Sequence, residues 1–203
     1  KLFSYVQNII SRSYNIREII EPSVTEIKKD KYESYFSLKS LCIPTSVIKI
    51  HPFAFSNCKQ INNVTCDSKW LNYFPCPLNI IQVIIPEGQS IIKEKDFEGL
   101  LNLQNIKLPK SLTKIEKNAF INIQISIFQG DPIFLEHFNK INLVKATIPD
   151  YVTEIPPKAF YQCKNLTTVK IDNIGTSKLH SIHSQAFAFC ENLNRFKLPE
   201  SIT

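Results

Sequence analysis

Apolar positions along the chain fall into a six-residue phrase that keeps returning. It alternates as L-x-x-V-x-L in "LKSLCI" (38–43), "INNVTC" (61–66), "IIQVII" (80–85), "LQNIKL" (103–108), "LVKATI" (143–148), "LTTVKI" (166–171) and "LNRFKL" (193–198). Alternation of this length predicts a strand with one face buried. Between final apolar residues the spacings are 23, 19 and 23 from Ile43 through Cys66 and Ile85 to Leu108. They continue with 40 to Ile148, 23 to Ile171 and 27 to Leu198. The interval of 40 leaves room for one blurred unit around Ile123–Phe128, and "IREIIEPSVTEI" (16–27) supplies a weaker first member. The pattern therefore predicts nine strands, one per repeat.

A second phrase links the strands: "PKSLTKIEKNAF" (109–120) returns as "PDYVTEIPPKAF" (149–160). Proline lacks an amide hydrogen, so Pro22, Pro44, Pro86, Pro109, Pro149 and Pro199 end the ladder at one level in each repeat. Asp67 and Asp172 stand at the same corner as turn formers. The pairs Val47/Ile50, Leu112/Ile115, Val152/Ile155 and Leu179/Ile182 are expected to point inward. A short helical turn at Ala-Phe then sets Phe55, Phe97, Phe120, Phe160 or Phe187 at the centre of its coil. A period near 23 with such a strand is the mark of a leucine-rich-repeat solenoid. The fold expected is α/β and β-rich: a parallel concave sheet, short helical turns on the outer side, and about nine coils.

The whole phrase, P-x-x-[VL]-T-x-I-x-x-x-A-F-x-x-C-x-x-L-x-x-[VI]-x-[LI]-P, resembles the repeat of BspA-like leucine-rich-repeat proteins of bacteria and protists. Matches are full at 44–66, 149–171 and 176–198 and partial from Pro86 and Pro109. "CDSKWLNYF" (66–74) departs from the bacterial form and is similar to a variant repeat of amoebozoan members. The resemblance covers residues 22–203. It implies a binding protein, often surface-associated and without enzymatic activity, and it names no ligand.

The remaining composition narrows the chemistry. With 203 residues, 43% apolar and 21% charged, the chain matches a globular protein rather than a disordered one, and its formal charge of +6 is mildly basic. The four glycines are too scattered for a phosphate-cradling loop. Cys58, Cys163 and Cys190 stand where other coils place Leu100 and Ile123, and Cys66 stands where others place Ile43, Leu108 and Ile171. They are expected as buried fillers. Cys42, on an outward strand position, and Cys76, in an irregular segment, remain candidates for a reactive or bridged thiol. With no C-x-x-C and with His180 and His183 on a solvated turn, neither a metal site nor a cofactor is expected. The sequons at Asn63 and Asn165 read as chance matches in an Asn- and Thr-rich chain.

Function is expected in the strand residues that flank the V position and face outward. The residue after V runs Cys42, Thr65, Ile84, Lys107, Ile127, Thr147, Lys170 and Lys197; the residue before it includes Gln82, Asn105, Lys145, Thr168 and Arg195. The candidate site is thus a positive stripe of Lys107, Lys145, Lys170, Arg195 and Lys197, with Ile84 and Asn105 beside it. Its expected partner is another protein or an acidic glycan; no small-molecule substrate is expected, and nucleic acid is disfavoured because no aromatics interleave with the cations and the charge density is low. The leading expectation is adhesion or recognition at a cell surface, and the alternative is an intracellular scaffold or adaptor. Leu2, Val6, Ile9 and Ile10 follow helical spacing and predict a cap over residues 1–12 within a leading segment 1–21. "PESIT" opens a further repeat, so an open coil, end-to-end self-association there and a fragment of a longer protein are expected.

Overall fold

The computed structural model describes residues 17–29 and 31–202. Its first strands are β1 (Arg17–Ile19), β2 (Glu26–Ile27), β3 (Ser40–Cys42), β4 (Lys49–Ile50) and β5 (Asn63–Thr65). Next come β6 (Gln82–Ile84), β7 (Ile91–Ile92), β8 (Asn105–Lys107), β9 (Lys114–Ile115) and β10 (Ile127–Gln129). β11 (Lys145–Ile148), β12 (Glu154–Ile155), β13 (Thr168–Ile171), β14 (Ser181–Ile182) and β15 (Arg195–Phe196) complete the series. Nine of them form one sheet in the order β1-β3-β5-β6-β8-β10-β11-β13-β15, and all its pairs are parallel. At ~4.8 Å per strand this sheet is about 40 Å long. The expected solenoid is present, with one strand of this sheet per coil.

The alternation works as the pattern required. Leu41, Val64, Val83, Ile106, Phe128, Ala146 and Val169 occupy the V position and are buried, as are Ile43, Cys66, Ile85, Leu108 and Ile148 at the strand ends. The blurred unit, however, lies two residues later than expected. Ile127 pairs with Asn105 and Gln129 with Lys107, so Phe128 is the inward residue. Ile127 therefore belongs to the column before V, and Gln129 takes the place assigned to it after V. The frame was ambiguous because Ile123 and Ile125 extend the alternation, while the strand ends on Gly130 instead of an aliphatic residue. The sheet also begins at Arg17, inside the segment assigned to the leading cap. The helix expected over residues 1–12 lies outside the described residues.

A second level of repetition governs the outer side. β2 pairs with β4, β7 with β9 and β12 with β14, which leaves three separate two-stranded ribbons. The intervening short coils carry 3-10 turns, Ser68–Tyr73 and Pro132–His137. Asp67 and Asp131 cap these turns, each accepting a hydrogen bond from the backbone N–H two residues on. Two long coils and one short coil thus make a unit that repeats. The core rings follow it: Tyr32, Phe55 and Phe74 form one series with centroid separations of 5.2 and 5.2 Å. Phe97, Phe120 and Phe138 form the next, at 4.4 and 4.2 Å. Phe160 stacks on Phe187 at 4.9 Å in the third.

The Ala-Phe segments are hydrogen-bonded turns, and the reason is local. Left-handed residues bracket the phenylalanine in four coils: Lys95 and Gly99, Asn118 and Asn122, Lys158 and Gln162, Gln185 and Phe189. An α-helix cannot pass through such positions, and among the described residues the only helical pieces are 3-10. In one coil the alanine is replaced by Asp96, which is buried. Its carboxylate accepts from the Ser68 hydroxyl and from the Lys93 amide at 3.0 Å, and Gln89 bonds Ser68 as well. A buried carboxylate so satisfied stitches a short coil to its long neighbour.

Candidate functional site

The strand register places the outward residues in two continuous columns. One runs Arg17, Ser40, Asn63, Gln82, Asn105, Ile127, Lys145, Thr168 and Arg195. The other runs Ile19, Cys42, Thr65, Ile84, Lys107, Gln129, Thr147 and Lys170. Lys197 follows the end of β15. Lys107, Lys145, Lys170, Arg195 and Lys197 are all exposed, and Ile84 and Asn105 are half-buried. Neither column contains a carboxylate or an aromatic ring.

The structure sorts the seven expected site residues into two groups with one residue between them. Ile84, Asn105 and Lys107 line a depression of about 230 Å³ together with Gln82, Ile127 and Gln129. Lys170, Arg195 and Lys197 line another, of about 440 Å³, with Ile171, Ile174 and Phe196. Lys145, on β11, lies between the strands that build the two depressions. Ile127, 37% exposed, joins the first group only because of the corrected register.

A row of carboxylates follows the columns at the corner where each coil leaves the sheet, and nothing in the alternation singled it out. Glu87 accepts from the Lys110 and Ser111 amides at 2.9 and 3.1 Å. The Lys110 amide bond, ahead of the Ser111 bonds and the Lys107 charge, holds its carboxyl below the usual range. Asp150 accepts from Asn173 Nδ2 at 2.9 Å, and Asp172 from Gln129 Nε2 at 3.3 Å. Burial pushes the Tyr151 phenol up to about 12, and the charges of Asp131, Glu87 and Asp150 add to it. The corner is therefore an acidic rim beside a basic face. It was legible only as turn chemistry, since Asp at a proline-like corner reads as a turn former.

On the other margin of the sheet, Asn57, Asn79, Asn102, Asn165 and Asn192 each donate a side-chain bond of 2.7–2.9 Å to a backbone carbonyl of the preceding coil. The amide of the Asn165 sequon is thus engaged in this ladder, and that of Asn63 donates to Asn62 Oδ1 at 2.7 Å.

The thiols and imidazoles line neither depression, and of them only Cys42 stands in a column. All six cysteines are free. Burial pushes Cys58 and Cys163 up to about 12 and Cys66 well above its ordinary value. Cys42 faces outward, half-buried in the second column, and Cys76 precedes the Pro77–Asn79 turn. A raised pKa leaves little reactive thiolate at pH 8. Iodoacetamide on the native chain at that pH is therefore expected to leave Cys58, Cys66 and Cys163 unmodified until denaturant is added. Modification of any of the three in the native state, read by mass spectrometry, would contradict their packing as core fillers. His183 is exposed, with Nε2 2.9 Å from Glu154, and among the described residues no three metal-ligating side chains converge.

The model for BspA-type leucine-rich repeat regions matches residues 7–75, 71–134 and 129–203, with six copies. The chain belongs to the BspA-type leucine-rich repeat family. Solved structures align with it at low identity. A chain of the Toll–Spatzle complex from Drosophila aligns over 90% of this BspA-type chain and 29% of its own length, at 14% identity and TM-score 0.51. A leucine-rich repeat protein from Bacteroides ovatus aligns over 90% and 60%, at 18% identity and TM-score 0.39. One from T. pallidum aligns over 89% and 78%, at 17% identity and TM-score 0.35. The chain thus spans less than two thirds of the first two. No curated protein matches it.

Proposed function

We propose that this BspA-type chain is a non-enzymatic recognition module that binds another protein through its concave sheet, in adhesion or recognition at a cell surface. The observation that carries the reading is the pair of outward columns, which hold Lys107, Lys145, Lys170 and Arg195 with no carboxylate among them. Nine strands hold the Cα atoms of these residues at fixed spacing, so the backbone lays out the array of cations before any partner arrives. The buried Ser68–Asp96–Gln89 cluster is consistent with the non-enzymatic reading: its hydroxyl bonds a carboxylate, but it is fully buried and out of reach of a substrate.

Affinity capture from the source cells tests this with Lys107, Lys170 and Lys197 all changed to Glu. The three positions are exposed, so the fold is expected to survive. Partner recovery is expected to fall at least tenfold; recovery equal to that of the unaltered chain would sink the proposal. Staining of intact against permeabilised cells separates surface recognition from an intracellular adaptor role.

A further inference from the structure

The two depressions on the sheet differ in chemistry, and the difference has a direction. The first sits between Ile84 on β6 and Ile127 on β10, diagonally across β8, with Lys107 between them and Val83 and Ile106 in its lining. Beyond it, one cation projects from each successive strand: Lys145 on β11, Lys170 on β13 and Arg195 on β15. We infer that the sheet receives an acidic peptide segment of its partner protein, running across the strands. One apolar side chain seats between Ile84 and Ile127, and carboxylates run on to Lys145, Lys170 and Arg195. This rests on the proposed protein-binding role of the concave sheet and gives that partner its chemistry.

The spacing fits an extended peptide. Strands lie ~4.8 Å apart, so Lys145, Lys170 and Arg195 stand about 5, 10 and 14 Å beyond the strand that bears Ile127. An extended peptide advances about 3.4 Å per residue, which puts the carboxylates about two to four residues beyond the strand that bears Ile127. Lys145 and Lys170 lie in opposite columns, about 8 Å apart along a diagonal, so acids at neighbouring and at alternate positions both find a cation. Half-buried Ile84 and exposed Ile127 suit an aliphatic or aromatic side chain. The columns offer no ring on which bases or sugars would stack, which disfavours a nucleic acid and a glycan. The rim confines the segment as well. Glu87, Asp150 and Asp172 are held by bonds within the chain, and they repel an acidic peptide that strays from the columns.

Random 12-residue peptides displayed on phage, panned against the immobilised chain, read this directly. Enriched sequences are expected to carry at least three Asp or Glu within five residues on one side of an apolar residue. Changing Lys145, Lys170 and Arg195 to Glu is expected to reduce enrichment of these peptides at least tenfold. Ile84→Thr with Ile127→Thr keeps strand-compatible residues, Thr65 being the column neighbour of Ile84. It is expected to leave the acidic preference and erase the apolar one, with an unchanged far-UV circular dichroism spectrum for both variants. Acidic peptides with no apolar preference would overturn the anchor and leave the binding face standing. Non-acidic peptides, selection that survives charge reversal, or no enrichment at all would overturn both, and heparin binding in place of peptide binding would move the site to a sulfated glycan.

Discussion

Phe160→Ala is expected to lower the unfolding free energy by about 3–5 kcal/mol, the range for removing a fully buried ring that cannot be refilled. Phe160 is completely buried, and its ring lies parallel to that of Phe187, 4.9 Å away with 7° between planes. Its amide donates to the Ala186 carbonyl at 2.8 Å, and its carbonyl accepts from Cys190 Sγ at 3.0 Å, so the backbone around the hole is pinned on both sides. Collapse is therefore limited and most of the cavity persists. In a solenoid each coil contacts only its neighbours, so the damage stays local. Amide exchange is expected to accelerate across the coils of β11, β13 and β15 and to stay unchanged from β1 to β6. Phe53→Ala is the control, since that ring is 61% exposed; its cost is expected within about 0.5 kcal/mol. A loss below about 1 kcal/mol for Phe160→Ala, or uniform exchange along the chain, would refute the stacked-ring account.

The coils were legible in the sequence because two periods coincide there. Alternation of two marked the strands and a spacing near 23 marked the coils, so Leu41, Val64, Val83, Ile106 and Val169 could be assigned inward without coordinates. Legibility failed where one coil lacked its closing aliphatic residue. With Gly130 at that position, Ile123, Ile125 and Ile127 fitted the alternation equally well, and the frame slipped by two residues. The larger unit of two long coils and one short coil was also hidden. "GDPIFLEHF" (130–138) repeats the Asp, Leu and Phe positions of "CDSKWLNYF" (66–74), but its Pro, Ile and Glu disguise the match.

At the site, the two columns were readable because every second strand residue faces outward. Their division into an apolar-anchored depression and a cationic one was not, since it depends on which strands are neighbours and in what register. The acidic rim illustrates the same limit. Glu87 and Asp150 each follow a corner proline while Asp172 stands in the place of one, and parallel stacking brings all three to the same margin of the sheet. A peptide that reads this face would meet both charges at once, and that arrangement belongs to the stack rather than to any single repeat.

Gly130→Ile provides the second large effect, with a sign opposite to the usual rule for repeats. Other coils close the strand with Ile20, Ile43, Ile85, Leu108 or Ile148, so this change moves the coil toward its own consensus, which ordinarily stabilises. Here it is expected to destabilise by at least about 1–3 kcal/mol, the range for overpacking. A Cβ at Gly130 would lie 3.0 Å from Leu108 Cβ and 3.3 Å from Phe128 Cζ, and the glycine φ of 158° adds strain for any other residue. Phe128 is the cause. It is the largest inward strand residue in the β3–β13 series, and the next strand accommodates it with Ala146 as its register partner. Phe128→Val opens the space, so the double variant is expected to be more stable than the sum of the two single changes, by about 0.5–3 kcal/mol. Denaturant midpoints of the four proteins in that cycle decide the matter. Strict additivity would mean that the Phe128 ring does not exclude the side chain, and that backbone geometry alone keeps glycine at position 130.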